Sequence, residues 1–492
     1  MPLIKSISGI RGTLGHRPGE DLTPADVKKF TLAFVALLIE KNWGKKIILG
    51  RDARPSGLSF SEIIQTALVE IGFRVIDLGL ATTPTVEIAV LEEQAAGGII
   101  ITASHNPIEW NALKLLNNQG EFLSAEDGRR VLELAEAEFT NKSKEIMAGS
   151  KNYFNKNIIV GTVNEIKQAS KNLSATNYLQ KHIDLILKLP LVDEDLIAKA
   201  NFKIVVDGIN SVGGLAIPNL LRQLGVTDIR EINCQPDGQF AHKPEPLAEN
   251  LAQIMTAVKQ SGANLGIIID PDVDRLALID EHGETFGEEY TLVAIADYVL
   301  ENISVLDKFQ PGKYKRSAVS NLSSSRALAD VVEKYSGEYQ AAAVGEVNVV
   351  DKMKEIKAVI GGEGNGGVIF PELHYGRDAL VGVALFLSLL AKSGQKVSEL
   401  RQSLPEYYMV KDKLELTPMI NLATILEKLK VDYRLEKLTT IDGLKIDWPD
   451  SWVHLRASNT EPIMRIYAEG KTLTIAQERV REIRDKILAS IK

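Results

Sequence analysis

The feature that most constrains the fold is an order of strand and helix signals that occurs three times in the first three quarters of the chain. Each copy has a β-branched strand, an amphipathic helix, a second strand, a second helix and a third strand that ends in a polar loop. The copies span residues 45–107, 202–275 and 317–368, and the third is the weakest. Strands that alternate with helices predict mixed, mostly parallel sheets with helices on both faces. The sequence therefore predicts three related α/β domains.

The last part of the chain has a different pattern. From about residue 405 the strands and helices are short, and a final amphipathic helix is predicted over 476–491, which together indicate a C-terminal α+β domain. A chain of 492 residues is also too long for one core. The segment 141–172 is rich in Lys and Asn and is expected to contain the first boundary. The predicted domains are residues 1–158, 159–286, 287–404 and 405–492.

Charge and composition exclude several classes of partner. The formal net charge of −8 gives no general attraction to nucleic acid or to an anionic membrane, so an anionic substrate must meet local cations. The single cysteine, Cys234, excludes an internal disulfide and favours a reducing compartment. The start lacks a long apolar run, and the apolar stretch 380–390 is too short to span a bilayer. A cytoplasmic protein without nucleic-acid or membrane partners is expected.

The first polar loop, residues 102–107, contains Ser104 beside His105. A serine that leaves a buried strand next to a histidine suits a nucleophile or a phosphoryl carrier, although the same residues are typical of an ordinary Ser/Asn/Pro turn. A serine hydrolase is disfavoured because no Gly-x-Ser-x-Gly motif surrounds Ser104.

The second polar loop contains three acidic residues at alternate positions, Asp270, Asp272 and Asp274. Carboxylates this close repel each other unless a hard cation binds them, and magnesium fits oxygen ligands better than zinc does. Arg275 could orient a phosphate or brace a carboxylate. A solvated acidic turn is the alternative. An EF-hand is disfavoured because Arg275 and Glu281 occupy the positions that need glycine and glutamate.

The third polar loop, residues 361–367, has five glycines together with Glu363 and Asn365. Glycines allow the backbone to approach a ligand, and the two polar side chains could bind sugar hydroxyls. The loop lacks the lysine of a nucleotide-binding P-loop, and a flexible turn is the alternative.

A fourth motif, residues 456–462 followed by Arg465, groups two arginines with three small polar side chains. Guanidinium groups bind phosphate through two parallel hydrogen bonds, so this motif is a candidate phosphate site. An exposed charged turn is the alternative.

Together with SGIRG near the start, the motifs TASHNP, DPDVDR, GEGNGG and RASNTEP resemble those of the α-D-phosphohexomutase family in order and position. The resemblance covers the chain from end to end and implies four domains around a central cleft. It also implies the interconversion of a hexose 6-phosphate and 1-phosphate through a phosphoserine and a bisphosphorylated sugar. The implied cofactors are Mg²⁺ and, as activator, a hexose 1,6-bisphosphate.

The resemblance assigns a role to each matching residue. Ser104 would be the phosphoserine, and a phosphoserine oxygen with Asp270, Asp272 and Asp274 would hold magnesium. Lys114 would be the acid/base, and Arg275, Arg11 and His105 would support or line the reacting phosphate. Glu363 and Asn365 would hold sugar hydroxyls. The residues expected to bind the distal phosphate are Arg456, Ser458, Asn459 and Thr460, with Arg465 as a helper.

The identity of the sugar is less constrained. The IKSISGIRGT opening is similar to that of bacterial phosphoglucosamine mutases, which favours glucosamine phosphate, but the sugar loop differs from theirs. Gly367 stands where many relatives have histidine, and His374 is a candidate replacement. A phosphomannomutase or phosphoglucomutase is the close alternative, and a non-catalytic sugar-phosphate-binding protein a remote one. The expected partner is a small sugar phosphate, and the expected protein is a monomer or homodimer.

Overall fold

The computed structural model describes residues 3–6, 9–17, 20–137, 177–415, 422–457 and 463–491. The chain forms two compact units, of which unit 1 contains residues 1–286 and 368–397 and unit 2 contains residues 287–367 and 398–492. The predicted boundary between residues 158 and 159 lies outside the described residues. The three boundaries between the four predicted domains stay predictions.

The secondary structure alternates along most of the chain. The strands are β1 Ile4–Ser6, β2 Gly9–Thr13, β3 Lys46–Arg51, β4 Arg74–Leu80, β5 Gly97–Ile101, β6 Trp110–Leu116, β7 Lys203–Asp207, β8 Asp228–Ile232, β9 Leu265–Ile269, β10 Leu276–Ile279, β11 Lys315–Asn321, β12 Glu338–Ala342, β13 Ala358–Glu363, β14 Gly367–Ile369, β15 Tyr408–Glu415, β16 Lys437–Thr439, β17 Leu444–Asp447, β18 Ser451–Ala457 and β19 Ile463–Gly470. The helices are α1 Pro24–Glu40, α2 Gly57–Glu70, α3 Thr83–Glu92, α4 Ala125–Ala137, α5 Tyr178–Leu187, α6 Glu194–Ala200, α7 Gly213–Gln223, α8 Ala252–Ser261, α9 Glu288–Glu301, α10 Ile303–Phe309, α11 Ala327–Lys334, α12 Glu346–Ile356, α13 Ala379–Ser393, α14 Val397–Ser403, α15 Leu422–Asp432 and α16 Leu473–Ile491.

The first sheet of unit 1 has the strand order β1-β2-β6-β5-β3-β4. Strands β5, β3 and β4 are parallel, whereas β6, β2 and β1 continue the sheet in antiparallel pairs. Successive side chains of β3 point to opposite faces. Accordingly Ile47 and Leu49 share a core with Phe34 of α1, and Ile48 shares another with Val86 of α3. The sheet is therefore covered on both faces.

The second sheet of unit 1 has the order β10-β9-β7-β8. Strand β7 is parallel to β8 and β9, and β10 returns antiparallel to β9. Every residue of β9 is buried, as expected for a central strand in such a sheet. The turn from β9 to β10 contains the three aspartates.

Unit 2 contains the parallel strands β12, β11 and β13 and a separate antiparallel sheet of order β15-β19-β18-β17-β16. In the antiparallel sheet, Val453 and Ile466 pack in one core with Ile425 of α15 and Ile483 of α16. This is the α+β architecture predicted for the end of the chain.

The predicted fold class, α/β domains with mixed sheets followed by an α+β domain, is confirmed. The second helix predicted in the second copy, near residues 247–261, is divided into a 3₁₀ turn, Ala248–Asn250, and α8. Strand β6 was not predicted, because its seven residues are all buried and show no alternation. Among the described residues no single helix is long and apolar enough to cross a membrane. One bent pair of helices, α13 with α14, would be long and apolar enough, judged by length and composition alone.

Candidate active site

Ser104 lies in the loop that follows β5. Its backbone φ is 48°, in the left-handed region that residues with side chains seldom adopt. The N–H of Ser104 donates to Thr102 Oγ1 at 2.9 Å, and that hydroxyl donates to Asp52 Oδ2 at 2.6 Å. Such backbone strain costs about 1–3 kcal/mol and persists only where neighbouring contacts enforce it. The position of Ser104 is therefore imposed by its surroundings.

The fully buried side chain of Arg54 supplies most of that constraint. Its Nε donates to Asp52 Oδ2 at 3.0 Å. Its two terminal nitrogens donate to four backbone carbonyls of the loop and its edge, at 2.6–2.9 Å: those of Ser104, Asn106, Pro107 and Trp110. One guanidinium group thus fixes both the carbonyl of Ser104 and the turn that follows it.

Asp270, Asp272 and Asp274 follow β9 and are fully buried. One carboxylate oxygen of each lies within 4.8 Å of the others. Asp270 Oδ1 accepts the N–H groups of Asp274 and Arg275 at 3.1 and 3.2 Å, and Val273 takes a φ of 65°. The loop is therefore folded back so that its three acids converge.

The structure brings the serine loop and the acidic loop together within unit 1. Ser104 Oγ donates to Asp270 Oδ2 at 2.6 Å, and His105 Nδ1 lies 3.5 Å from the same hydroxyl. Two motifs that are more than 160 residues apart in sequence thus meet at one hydroxyl group.

Cationic side chains surround the acids. Lys114 of β6 donates to Asp272 Oδ2 at 2.7 Å and to Asp274 Oδ2 at 3.2 Å. Arg377 also donates to Asp274 Oδ2, at 2.7 Å, and Arg275 Nε lies 3.8 Å from Asp274 Oδ1. The negative charge of the aspartates is therefore largely balanced by neighbouring cations.

These contacts shift the pKa values of two of the aspartates in opposite directions. Burial, followed by the charges of Asp274 and Asp272, raises the pKa of Asp270 well above its ordinary value. Burial would also raise the pKa of Asp274, but Arg377, Lys114 and Arg275 outweigh it and hold that pKa low. Burial would lower the pKa of Lys114, but Asp272 and Asp274 outweigh it and keep the lysine charged.

His105 and Arg11 lie in the same electrostatic environment. Burial, then the charges of Arg275 and Arg11, hold the pKa of His105 well below its ordinary value. Burial, then Arg275, also lowers the pKa of Arg11. At neutral pH His105 is therefore uncharged, and the positive charge of the site is carried by arginine and lysine.

The acidic cluster fits a hard divalent cation. Asp272 Oδ1 and Asp274 Oδ1 are buried, and among the described residues neither has a hydrogen-bond partner. A buried carboxylate oxygen without a partner is costly, and oxygen ligands of this kind are what Mg²⁺ prefers. The three aspartates could therefore hold a metal.

Unit 2 contains the predicted sugar loop. Glu363 ends β13, and its Oε1 accepts Asn321 Nδ2 at 2.8 Å and the N–H of Gly345 at 3.2 Å. Asn365 Nδ2 lies 3.4 Å from Glu363 Oε2, and Asn365 Oδ1 accepts the N–H of Gly367 at 3.2 Å. The loop is thus ordered by its own polar groups.

Gly364 is required by close packing in this loop. A Cβ at this position would lie 1.7 Å from Glu289 Oε2. Burial raises the pKa of Glu289 to about 8, and its Oε2 accepts the N–H of Ser325 at 3.0 Å. A buried carboxyl group therefore supports the sugar loop from behind.

The predicted phosphate site, also in unit 2, has two arginines side by side. Arg456 on β18 is paired in register with Arg465 on β19, and Arg465 Nη1 donates to Tyr467 Oη at 3.1 Å. Burial, and among the neighbouring charges that of Arg465, lower the pKa of Arg456. Like charges directly across a sheet are unfavourable, so an anion would stabilise the pair. Ser458, Asn459 and Thr460 lie outside the described residues.

His374, the candidate replacement for a histidine at Gly367, is buried in unit 1. Its Nε2 lies 3.3 Å from Asp378 Oδ2 and its Nδ1 lies 3.3 Å from Glu87 Oε2. Its ring is thus engaged by two buried carboxylates.

Sequence reasoning missed two residues at the site, Arg54 and Arg377. Arg54 lies in a charged loop after the first strand of the first copy, outside the polar motifs, and Arg377 lies ten residues beyond Gly367, the last residue of the predicted sugar loop. An arginine next to an apolar strand indicates that a cation could be buried there. The groups that such an arginine contacts are known only from the structure.

The chain matches four family models over most of its length. They are described as phosphoglucomutase/phosphomannomutase alpha/beta/alpha domains I, II and III and the phosphoglucomutase/phosphomannomutase C-terminal domain. The matched residues are 4–142, 180–283, 288–408 and 410–488.

Individual proteins match over nearly their full length. A phosphoglucomutase/phosphomannomutase of Thermococcus kodakarensis is 36% identical, with 96% of each chain covered. A phosphoglucosamine/phosphogalactosamine mutase of Sulfurisphaera tokodaii is 32% identical, with 97% of each chain covered. Among solved structures, a phosphoglucomutase/phosphomannomutase family protein of Burkholderia thailandensis has a TM-score of 0.77 at 22% identity, covering 99% of this chain and 97% of that one.

Proposed function

Because the chain belongs to the phosphoglucomutase/phosphomannomutase family and is a phosphohexomutase, an intramolecular phosphotransferase, we propose that it converts glucosamine 6-phosphate to glucosamine 1-phosphate through a phosphoserine at Ser104. The observation that carries the proposal is the 2.6 Å hydrogen bond from Ser104 Oγ to Asp270 Oδ2. It connects a serine held in the left-handed region to a cluster of three buried carboxylates.

Asp270, Asp272 and Asp274 would hold Mg²⁺ together with an oxygen of phosphorylated Ser104. The buried oxygens of Asp272 and Asp274 that lack hydrogen-bond partners support this assignment. A bound magnesium ion would supply positive charge to the phosphoryl group.

The proposed reaction has two phosphoryl transfers. In the first, the bond between phosphorus and Ser104 Oγ breaks as a bond to the free sugar hydroxyl forms, which gives a bisphosphorylated sugar. After the sugar turns around, the other phosphoryl group returns to Ser104. Phosphoryl transfer of this kind depends mainly on positioning and charge neutralisation. Arg54 would supply the positioning through the carbonyl of Ser104.

Four further residues of unit 1 have proposed roles at the reacting phosphate. Lys114, which is charged and buried, would donate a proton to Ser104 Oγ as the bond to phosphorus breaks, and the proton released by the sugar hydroxyl would restore the ammonium group; the reverse transfer exchanges the two oxygens. Arg275 and Arg11 would bind phosphoryl oxygens, and neutral His105 would line the group. The charges of Arg275 and Arg11 both act on His105, and Lys114 and Arg275 lie close to the aspartates, which supports these roles.

Residues of unit 2 also have proposed roles in binding a sugar phosphate. Glu363 would accept hydrogen bonds from sugar hydroxyls, and Asn365 would donate to them or accept from them. Arg456 and Arg465 would bind the phosphate that is not reacting, since their like charges face each other across β18 and β19. Ser458, Asn459 and Thr460 are proposed for the same phosphate from their motif alone.

The choice of sugar rests on similarity. The Sulfurisphaera tokodaii relative is named for glucosamine and galactosamine phosphates, which favours glucosamine phosphate here. The Thermococcus kodakarensis relative is more similar and is named for glucose and mannose phosphates, so a phosphoglucomutase/phosphomannomutase is the second candidate. A hexose 1,6-bisphosphate would act as activator by phosphorylating any Ser104 that has lost its phosphoryl group.

The experiment is a parallel assay of the 6-phosphates of glucosamine, mannose and glucose with magnesium and a trace of the matching bisphosphate. We expect the highest kcat/KM for glucosamine 6-phosphate and loss of turnover with chelator. A higher kcat/KM for mannose or glucose phosphate would select the second candidate. Turnover that survives chelator would contradict the metal assignment.

A further inference from the structure

We propose that Arg377 is a positioning residue of the phosphoryl-transfer site, which binds one oxygen of Asp274, directs the other toward the ligand and offsets one carboxylate charge. The inference rests on the proposed function of the aspartates. No motif of the sequence assigns a role to Arg377.

The contact between Arg377 and Asp274 is direct and nearly closed to solvent. Arg377 Nη2 donates to Asp274 Oδ2 at 2.7 Å, and the exposed fraction of the arginine side chain is 9%. Lys114 Nζ donates to the same oxygen at 3.2 Å. Asp274 Oδ2 is therefore occupied by two cations, whereas Asp274 Oδ1 is buried without a hydrogen-bond partner among the described residues. Arg377, which makes the shorter of the two contacts, thus helps to leave Asp274 Oδ1 for a ligand.

The backbone on both sides of Arg377 is fixed within unit 1. Arg377 forms an isolated antiparallel bridge with Ile369, and the N–H of Asp378 donates to the carbonyl of Val368 at 2.9 Å. The N–H of Ala379 then donates to the carbonyl of Val273 at 3.1 Å, in the middle of the acidic loop. The segment that carries Arg377 is therefore attached directly to the loop that it would position.

The side chain of Asp378 strengthens this attachment. Its Oδ1 accepts the N–H groups of Leu380 and Val381 and caps α13, and its Oδ2 lies 2.9 Å from His182 Nε2. A capped helix start and a buried histidine thus restrain the residue next to Arg377. Arg377 has little freedom to move away from Asp274.

The charge balance of the site shows what Arg377 would change. The charges of Arg11, Arg275 and Arg377 all act on His105, and Lys114 pairs with the aspartates, so in the part of the chain that the structure describes these four cations face the three aspartates. Without Arg377 the two counts would be equal, and the site would attract a divalent cation more strongly. Lys114 would still hold Asp274 Oδ2, so for metal binding the lost positive charge would outweigh the lost positioning, whereas the looser carboxylate would slow phosphoryl transfer. Tighter metal binding with slower turnover is the expected signature.

The test compares Arg377→Met, Arg377→Gln and Arg377→Lys with a surface control, Arg130→Met, whose guanidinium pairs with Glu40. Titration calorimetry of the full-length dephosphorylated protein with Mn²⁺ gives the metal affinity, and steady-state kinetics gives kcat and KM. For Arg377→Met and Arg377→Gln we expect about tenfold tighter Mn²⁺ binding, corresponding to ~1.4 kcal/mol, a lower kcat and an unchanged KM for the sugar. Arg377→Lys should retain the wild-type metal affinity.

Metal affinity that is unchanged or weaker in both neutral variants would overturn the inference, as would wild-type kcat. If Arg377→Met does not fold, the difference between Arg377→Gln and Arg377→Lys gives the same answer. The proposed function fails separately, if the wild-type protein binds no Mn²⁺ or turns over in the presence of chelator. If the wild-type protein needs metal but both neutral variants behave like Arg130→Met, the role of Arg377 is wrong and the proposed function stands.

Discussion

At the scale of single residues, the site depends on side chains that neutralise or immobilise others. Ser104 sits at a φ of 48°, and Arg54 binds its carbonyl together with three others. Arg54 is also paired with Asp52, and both side chains are fully buried. Removing one member of a buried ion pair is far more costly than removing an exposed one, because the remaining charge has no partner.

Arg54→Met should therefore lower the free energy of unfolding by about 3–5 kcal/mol and reduce turnover strongly. Arg130→Met, which removes an exposed pair with Glu40, should cost less than about 1 kcal/mol. Urea unfolding of both variants gives the comparison. Equal stability of the two variants would mean that Arg54 does not hold the serine loop.

Arg456→Lys tests the distal phosphate site. Lysine keeps the charge but loses the two parallel donors of arginine, so binding of the 1-phosphate and the 6-phosphate should weaken by similar factors, about tenfold or ~1.4 kcal/mol. Arg484→Lys, at a half-buried pair with Asp412 in the same unit, is the matched control and should bind both normally. Titration calorimetry with each monophosphate decides it. A defect with only one of them would contradict a shared phosphate site.

The residue types in the sequence predicted where the candidate site residues lie, but they did not predict which of them contact each other. Ser104, Asp270, Asp272 and Asp274 were expected at the ends of buried strands, and the structure places them there. The hydrogen bond between Ser104 and Asp270 depends on how two sheets pack, which no local pattern contains. The partners of Arg54 and Arg377 were hidden for the same reason.

At the scale of elements, the start of α13 is stabilised by buried charges. Asp378 caps the helix and lies next to His182 and His374, and His374 also faces Glu87. Burial would lower the pKa of His374, but Asp378 and Glu87 outweigh it and raise the pKa to about 10. The folded protein therefore keeps a proton on His374 that the unfolded chain loses above about pH 6.5.

This difference predicts the direction of a pH effect. Stability from His374 is fully present below about pH 6.5 and is lost as the pH rises toward about 10, at no more than ~1.4 kcal/mol per pH unit. His374→Asn should remove this part of the slope. Thermal unfolding of wild type and variant from pH 6 to 10 gives the two slopes. Identical slopes would show that His374 is not protonated in the folded protein.

Element prediction failed where periodicity was absent. The parallel strands β5 and β9 were predicted because a β-branched run ends in a polar loop. Strand β6 also carries Lys114, but buried residues on both faces hide its period. The pairing of the antiparallel strands β2 and β6 was therefore known only from the structure.

At the scale of the whole molecule, repetition made the fold predictable. Three copies of one strand and helix order indicated three related domains, and a change of pattern indicated the fourth. Repetition alone does not identify the sugar, because the loop proposed to bind the sugar and the arginines proposed to bind phosphate offer groups that many hexose phosphates could use. The domain boundaries likewise stay predictions.

The most direct test of the central claim is the mass of the intact protein before and after each half-reaction. Wild-type protein treated with a hexose 1,6-bisphosphate should gain one phosphoryl group, located on Ser104 by peptide fragmentation, and should lose it to added glucosamine 6-phosphate. Ser104→Ala should stay unmodified, fold normally and show no turnover, whereas Ser59→Ala, at an exposed serine, should behave as wild type. A phosphoryl group on another residue, or turnover by Ser104→Ala, would contradict the account.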